Sequence, residues 1–354
     1  MKRQQNNCPS PILMTIVVAM FVIGCSSLFP LQQSCTNISL TRDGQVLFAN
    51  NEDTHFRDLV IGFFPAGSEG YGSVHVGFRQ PDGVIQFGGV MNDKGLAWDL
   101  NTAPRSPLNP HPEKPYSHEE DNYLSTISKQ AATVEEAIQI ARRFDFGDSM
   151  AYQFHIADAS GDAVVISAGL DGELAFTRKD QVDSYLLLTN FNPANHKDRE
   201  VGWRYQTASA MLEEIDSSSG SIYAYAGGIL DAVHLNNLTS YTLYSNIFDL
   251  KNKEIHLYYM AQYDEVVVLN LADELARGAR VVDMREFFSP ETVAAGDAAY
   301  HRFEARFNAA KIAVIALVVG IVAGGAFLAV RKTRKQQQGD EPRRPNLGVI
   351  IKIL

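Results

Sequence analysis

The sequence predicts an α+β fold in which two sheets pack together with helices outside them, flanked by a hydrophobic leader and a C-terminal transmembrane helix. Three observations carry this expectation. Short apolar segments with the alternation of strands are separated by helical stretches, in the order strands, helices, strands, helices, strands, a pattern of layered α+β domains. A short apolar run, Ile12–Gly24, follows the basic residues Lys2 and Arg3. A longer uncharged run, Ile312–Val330, is followed at once by Arg331, Lys332, Arg334 and Lys335.

Taken in order, Ile12–Gly24 is too short to span a bilayer comfortably and reads as an export signal. Val22-Ile23-Gly24-Cys25 also resembles a lipoprotein processing site, with Cys25 competing with Cys35 as the first mature residue. The domain opens with strands Cys35–Thr41 and Gln45–Asn51 flanking Asp43-Gly44, a strong hairpin signal. Leu59–Phe64, Ser73–Phe78, Val84–Val90 and Gly95–Asn101 read as further strands, with Pro81-Asp82-Gly83 as a turn. Pro104–Glu119, rich in proline and histidine, reads as a loop lying over a pocket. Helices follow at Asn122–Lys129 and Thr133–Phe144, the second opened by a Thr133/Glu136 capping box. Strands at Tyr152–Ala157, Ala163–Ala168, Glu173–Thr177 and Ser184–Asn190 precede helices at Glu200–Ile215 and Ser221–Val233. The last strands are Thr242–Asp249, Glu254–Met260 and Asp264–Leu269. Ile312–Val330 has no polar face and has the length of roughly 20 residues that a bilayer core demands. The basic cluster after it stays cytoplasmic, which puts the folded domain outside.

A net charge of −10 over 354 residues argues against a nucleic-acid partner. The nine histidines are scattered. His111 and His118 share a loop running into Glu119, Glu120 and Asp121, but no ligand spacing is tight, so neither a metal nor a cofactor is expected. Of the three cysteines, Cys8 and Cys25 precede Cys35, so the mature domain keeps Cys35 alone and forms no internal disulfide. A cysteine released as first residue carries a thiol and an α-amine of pKa about 7.7–8.0 on one skeleton. It is nucleophile and base at once, which suggests an amide-bond hydrolase that is silent until its leader is removed. Asn37-Ile38-Ser39 and Asn237-Leu238-Thr239 are glycosylation sequons.

Cys35-Thr36, Asn50-Asn51-Glu52-Asp53, Met91-Asn92-Asp93-Lys94-Gly95-Leu96 followed by Asn101, Leu188-Thr189-Asn190, and Trp203-Arg204-Tyr205 together resemble the choloylglycine hydrolase family. Its members are linear-amide hydrolases, among them bile salt hydrolases and penicillin V acylases, and the resemblance covers roughly Cys35 to Leu269. It implies a four-layer αββα sandwich of the N-terminal nucleophile hydrolase type. It also implies roles. Cys35 matches the nucleophile, Asp53 the aspartate that orients the new α-amine, and Asn101 the residue whose backbone N–H faces the oxyanion. Asn190 matches a side-chain oxyanion donor, and Arg204 the cation near the thiol. The family usually has arginine where this chain has Asn50, which removes a cation from the site; Arg57 stands nearby as a replacement. Read without the resemblance, Asp53 also fits a turn cap, Asn101 and Asn190 ordinary turn formers, and Arg204 a surface position on a helix.

The expected organisation is a leader over 1–34, a catalytic domain over 35–290, a juxtamembrane segment over 291–311, a transmembrane helix over 312–330 and a basic cytoplasmic tail over 331–354. The expected function is hydrolysis of a linear, non-peptide C–N amide in a small N-acylated substrate through a Cys35 thioester, outside the cytoplasm at the cell membrane. The alternatives are an acyltransferase using the same nucleophile and a catalytically inactive surface binding protein. Phe63, Phe64, Tyr71, Phe87 and Trp98 are candidates for an apolar acyl pocket. Besides the substrate, the expected partner is the membrane through the C-terminal helix, and the oligomeric state is left open, a homo-oligomer included.

Overall fold

A computed structural model of the chain describes residues 35–54, 56–68, 70–118, 122–180, 182–195, 202–215 and 220–339. The predicted leader, with Cys8 and Cys25, and the tail beyond 339 lie outside these residues. Leu31–Glu304 is one compact unit, and a second contains the chain from Ala305 onward.

The first unit begins with β1 (Thr36–Arg42) and β2 (Gln45–Thr54), joined as the sequence predicts at Asp43-Gly44. Both turn residues have positive φ, 52° and 78°, the geometry a two-residue hairpin turn requires. Then come β3 (Asp58–Phe64), β4 (Ser73–Arg79), β5 (Ile85–Asn92) and β6 (Ala97–Pro107), followed by α1 (Tyr123–Gln130) and α2 (Val134–Ala141). β7 (Ser149–Ala157), β8 (Ala163–Ala168), β9 (Leu174–Arg178) and β10 (Tyr185–Leu188) precede α3 (Trp203–Glu213) and α4 (Ile222–Ala232). β11 (Tyr241–Asp249), β12 (Glu254–Tyr259), β13 (Gln262–Asn270), α5 (Leu271–Ala276), β14 (Arg280–Asp283) and α6 (Pro290–Gly339) complete the chain.

Two antiparallel sheets result, ordered β10-β1-β2-β11-β12-β13 and β14-β3-β4-β5-β6-β7-β8-β9. The helices lie where their apolar stripes demand. Tyr123, Ile127, Val134 and Ile138 of α1 and α2 pack on Val90, Trp98, Phe154 and Val164 of the second sheet. Leu212, Ile222 and Ile229 of the α3–α4 pair pack on Ile38, Leu47 and Ile247 of the first. This is the four-layer αββα sandwich. α1 and α2 start where the sequence predicts, capped by the side chains of Asn122 and Thr133, with Glu136 closing the capping box.

Three features depart from the sequence expectation. β6 runs through Pro107 and absorbs the start of the predicted loop, with a bulge between Thr102 and Ser106 that takes up Pro104, which has no N–H to give. α5 and β14 appear where no element was expected, β14 pairing with β3 at the sheet edge. α6 starts at Pro290, not at 312, as one continuous helix whose first turn is capped by the Ser289 hydroxyl accepting from Thr292 N–H at 3.3 Å. Among the described residues this is the helix long and apolar enough to cross a membrane.

Candidate active site

Cys35 sits directly before β1, a strand with pairing partners on both sides, and is 1% exposed. Its thiol donates to Glu52 Oε2 at 3.5 Å. Its carbonyl accepts from Asn101 Nδ2 at 3.1 Å and from Arg204 Nη1 at 3.2 Å. Arg204, in the first turn of α3, also donates to Thr36 Oγ1 at 3.0 Å, Asp53 Oδ2 at 3.2 Å and Asn190 Oδ1 at 2.7 Å. The second oxygen of Asp53 accepts from the Thr242 hydroxyl. The other four residues singled out in the sequence therefore meet around Cys35, brought from β2, β6, the segment just after β10 and α3. Asn101 Oδ1 accepts from the Asn37 amide, which fixes its rotamer. Asn190 Nδ2 donates to Thr102 O at 3.0 Å and Thr102 Oγ1 at 2.9 Å, so its amide is directed at β6.

The electrostatics oppose a thiolate in the uncleaved chain. Burial pushes the Cys35 thiol well up, and Glu52, Asp99 and Asp53 push it further, against the backbone N–H of Asp53. Burial carries Asp53 up to about 7, despite the Arg204 guanidinium and the Thr242 hydroxyl. Asp99 rises to about 7 for the same reason, held back by the Leu100 N–H at 2.5 Å and by the adjacent Asn50 amide. Glu52 is raised well above the carboxylate range, by burial first and then by Asp99 and Asp53.

Glu52, Asp99 and Thr242 escaped sequence reasoning. A signal existed: Asp99 stands between Trp98 and Leu100 in an otherwise apolar strand, and a fully buried acid needs a reason. Asn50 is buried opposite Asn37 and Asn246 in the ladder. Arg57 is exposed, with Nη1 3.4 Å from His301 Nε2, and so does not replace the missing arginine.

The expected acyl-pocket residues need correction. Phe64, Tyr71, Phe87 and Trp98 do line one cavity of about 670 Å³. It lies on the outer face of the second sheet, where Trp98 Nε1 donates to Ser128 Oγ of α1 at 2.9 Å. Asp99, the next residue, points the other way, toward Glu52 and the thiol. Side chains alternate along a strand, so this cavity and Cys35 are on opposite faces of the sheet. Phe63 turns away from it and lies under the Arg280 guanidinium at 4.4 Å.

The loop histidines have local partners. His111 lies 2.9 Å from Glu173 and 3.3 Å from Glu113, and His118 lies 3.0 Å from the Tyr152 hydroxyl. Asn37 is buried with its amide bonded to Asn101, which closes that sequon to glycosylation in the folded protein, whereas Asn237 is on an exposed turn.

No family model and no curated protein sequence matches this chain. Solved structures do. Two single-substitution variants of the conjugated bile acid hydrolase from Clostridium perfringens align with TM-scores of 0.52 and 0.51 at 16% and 15% identity, over 70% of this chain and 95% and 96% of theirs. Penicillin V acylase from Agrobacterium tumefaciens aligns with a TM-score of 0.50 at 18% identity, over 70% of this chain and 90% of its own. The fold of this chain is that of conjugated bile acid hydrolase and penicillin V acylase, the four-layer αββα sandwich expected from the sequence.

Proposed function

We propose that this protein is a membrane-anchored hydrolase that cleaves a linear amide of a small N-acylated molecule, with Cys35 as nucleophile after removal of the preceding residues. The observation that carries the reading is the convergence of Asp53, Asn101, Asn190 and Arg204 on Cys35 at the mouth of β1. In the uncleaved chain the nitrogen of Cys35 is an amide and takes no proton, and the thiol is held protonated by burial and three carboxyls. Cleavage before Cys35 frees an amine with a pKa of about 7.7–8.0, which takes the thiol proton while Asp53 orients it.

The thiolate then adds to the substrate carbonyl, and the developing oxyanion takes hydrogen bonds from Asn190 Nδ2, once it turns from Thr102, and from the Asn101 backbone. Each such donor is worth about 2.7–4 kcal/mol of barrier. Collapse breaks the C–N bond, and the α-ammonium of Cys35 gives its proton to the leaving amine. Water repeats the addition on the thioester, losing its proton to the α-amine, and releases the acid and the thiol. Arg204 keeps Asp53, Asn190 and the Cys35 carbonyl in register throughout. α6 tethers the domain to the outer face of the membrane.

Mass spectrometry of the membrane-expressed protein tests this reading. A mature chain starting at Cys35 that turns over a member of an N-acyl amide panel supports it. A chain starting at lipidated Cys25, with no shorter form, overturns it.

A further inference from the structure

We propose that the cavity between α1 and the outer face of the second sheet is a binding site for a small aromatic monocarboxylate, separate from Cys35.

The cavity measures about 670 Å³, within the range of roughly 300–1,000 Å³ that holds small ligands. Its floor is made by Phe64, His75, Phe87 and Trp98, one from each of β3 to β6. α1 supplies one wall, and the connection from β3 to β4 supplies another with Pro65 and Tyr71. The Trp98 N–H is spent on Ser128 Oγ, so the indole gives the cavity apolar surface. Rings arriving from separate segments favour a flat aromatic body, which meets them edge to face or offset.

His75 is the polar exception in this floor. Its ring stands edge-on between Phe64 and Phe87, with centroids 5.0 and 5.1 Å away. Burial lowers its pKa to about 4, so at neutral pH the imidazole is uncharged and carries one proton. Ser73 Oγ lies 2.8 Å from Nε2, and among the described residues this nitrogen is the one acceptor that the buried hydroxyl reaches. A buried hydroxyl gives its hydrogen to an acceptor within reach, which puts the imidazole proton on Nδ1. Nδ1 has no hydrogen-bond partner among the described residues. The floor therefore holds a donor set among aromatic rings and left for a ligand.

Charge decides which ligand. Lys129, in the last turn of α1, is the charged side chain lining the cavity among the described residues, and no carboxylate of theirs lines it. That potential attracts anions and repels amines. A carboxylate accepts from Nδ1–H and answers the lysine charge together, with the stronger bonds of an ionised acceptor. The sheet itself stands between the cavity and Cys35, so occupancy requires neither the thiol nor its processing.

Titration calorimetry of the full-length Cys35→Ala protein in detergent tests this with three probes. Naphthalene-1-acetate carries both rings and charge, 2-(1-naphthyl)ethanol keeps the rings without the charge, and decanoate keeps the charge without the rings. The aromatic acid is expected to bind at least about tenfold tighter than either of the others. Lys129→Met is expected to erase its advantage over the alcohol, and His75→Phe to weaken it by about threefold or more. Leu124→Trp, which fills the cavity from α1, is expected to abolish binding. Leu124 is only partly buried, so this variant carries the test should His75→Phe unfold. Equal affinity for acid and alcohol, tighter binding of decanoate, no detectable binding, or binding that survives Leu124→Trp overturns the proposal. The protein titrated lacks the thiol, so each of these outcomes leaves the hydrolase reading where it stands.

Discussion

Replacing Arg204 by leucine removes the guanidinium from four oxygens at once while keeping an apolar stem on α3. The partner that matters most for stability is Asp53, whose side chain is 0% exposed and would keep only the Thr242 hydroxyl. Stripping the partner from a buried ion pair costs about 3–5 kcal/mol. At about 2–4 °C per kcal/mol for a domain of this size, the melting temperature falls by roughly 6–20 °C. The loss depends on pH. The Asp53 carboxyl sits at about 7 in the folded protein, above its ordinary value of 3.8. Below about 7 the folded state therefore holds it protonated, and the missing arginine costs only ordinary hydrogen bonds, about 0.5–1.5 kcal/mol each. Scanning calorimetry of the detergent-solubilised full chain near pH 5.5 and near pH 8.5 is expected to give a small deficit at the first and the full one at the second. Adding Asp53→Asn is expected to recover part of the deficit at high pH. An equal deficit at both pH values, with no recovery in the double variant, would refute the view that Arg204 acts mainly as the counter-charge of Asp53.

Asp99 rises from 3.8 to about 7 on folding, so its contribution to stability is fully present below pH 3.8 and is lost as pH climbs toward 7. Asp99→Asn cannot titrate, and its melting temperature relative to wild type is expected to climb across that window; a pH-independent difference would contradict the assignment. Gly95→Ala is expected to cost more than about 2 kcal/mol by denaturant unfolding, because Gly95 has φ +82° and a Cβ there would sit 2.1 Å from Leu250 O. Terminating the chain at Lys311 is expected to move the protein from the membrane to the soluble fraction. Retention at the membrane would assign the anchor to the leader.

Elements with strong local chemistry were legible in the sequence. The Asp43-Gly44 hairpin, the Thr133/Glu136 capping box and the strands β1 and β3 to β5 lie within a residue or two of their predicted places, whereas β2 runs three residues beyond its predicted end. β14 and α5 were not legible, since a four-residue edge strand and a six-residue helix carry too few turns or alternations to register against their neighbours. The five candidate site residues emerged from a resemblance in order and spacing, and their meeting at Cys35 is a tertiary fact. Glu52 and Asp99 were passed over because a single acid in a strand looks like a solvent-facing residue until the partner sheet is laid over it. The aromatic residues assigned to an acyl pocket fail for a related reason. Periodicity says that Trp98 and Asp99 face opposite ways but not which of the two faces Cys35.

The clamp on the Cys35 carbonyl also times events in the life of the chain. Its two donors lie 66 and 169 residues downstream, one on the opposite sheet and one on a helix of the first. Neither arrives until β6 has joined its sheet and α3 has docked, and Asp53 waits still longer for Thr242 on β11. During synthesis Cys35 emerges early and remains an ordinary cysteine, without the partners that set its chemistry. Any reaction that depends on them begins only after both halves of the sandwich have closed, so readiness at Cys35 doubles as a checkpoint on complete folding.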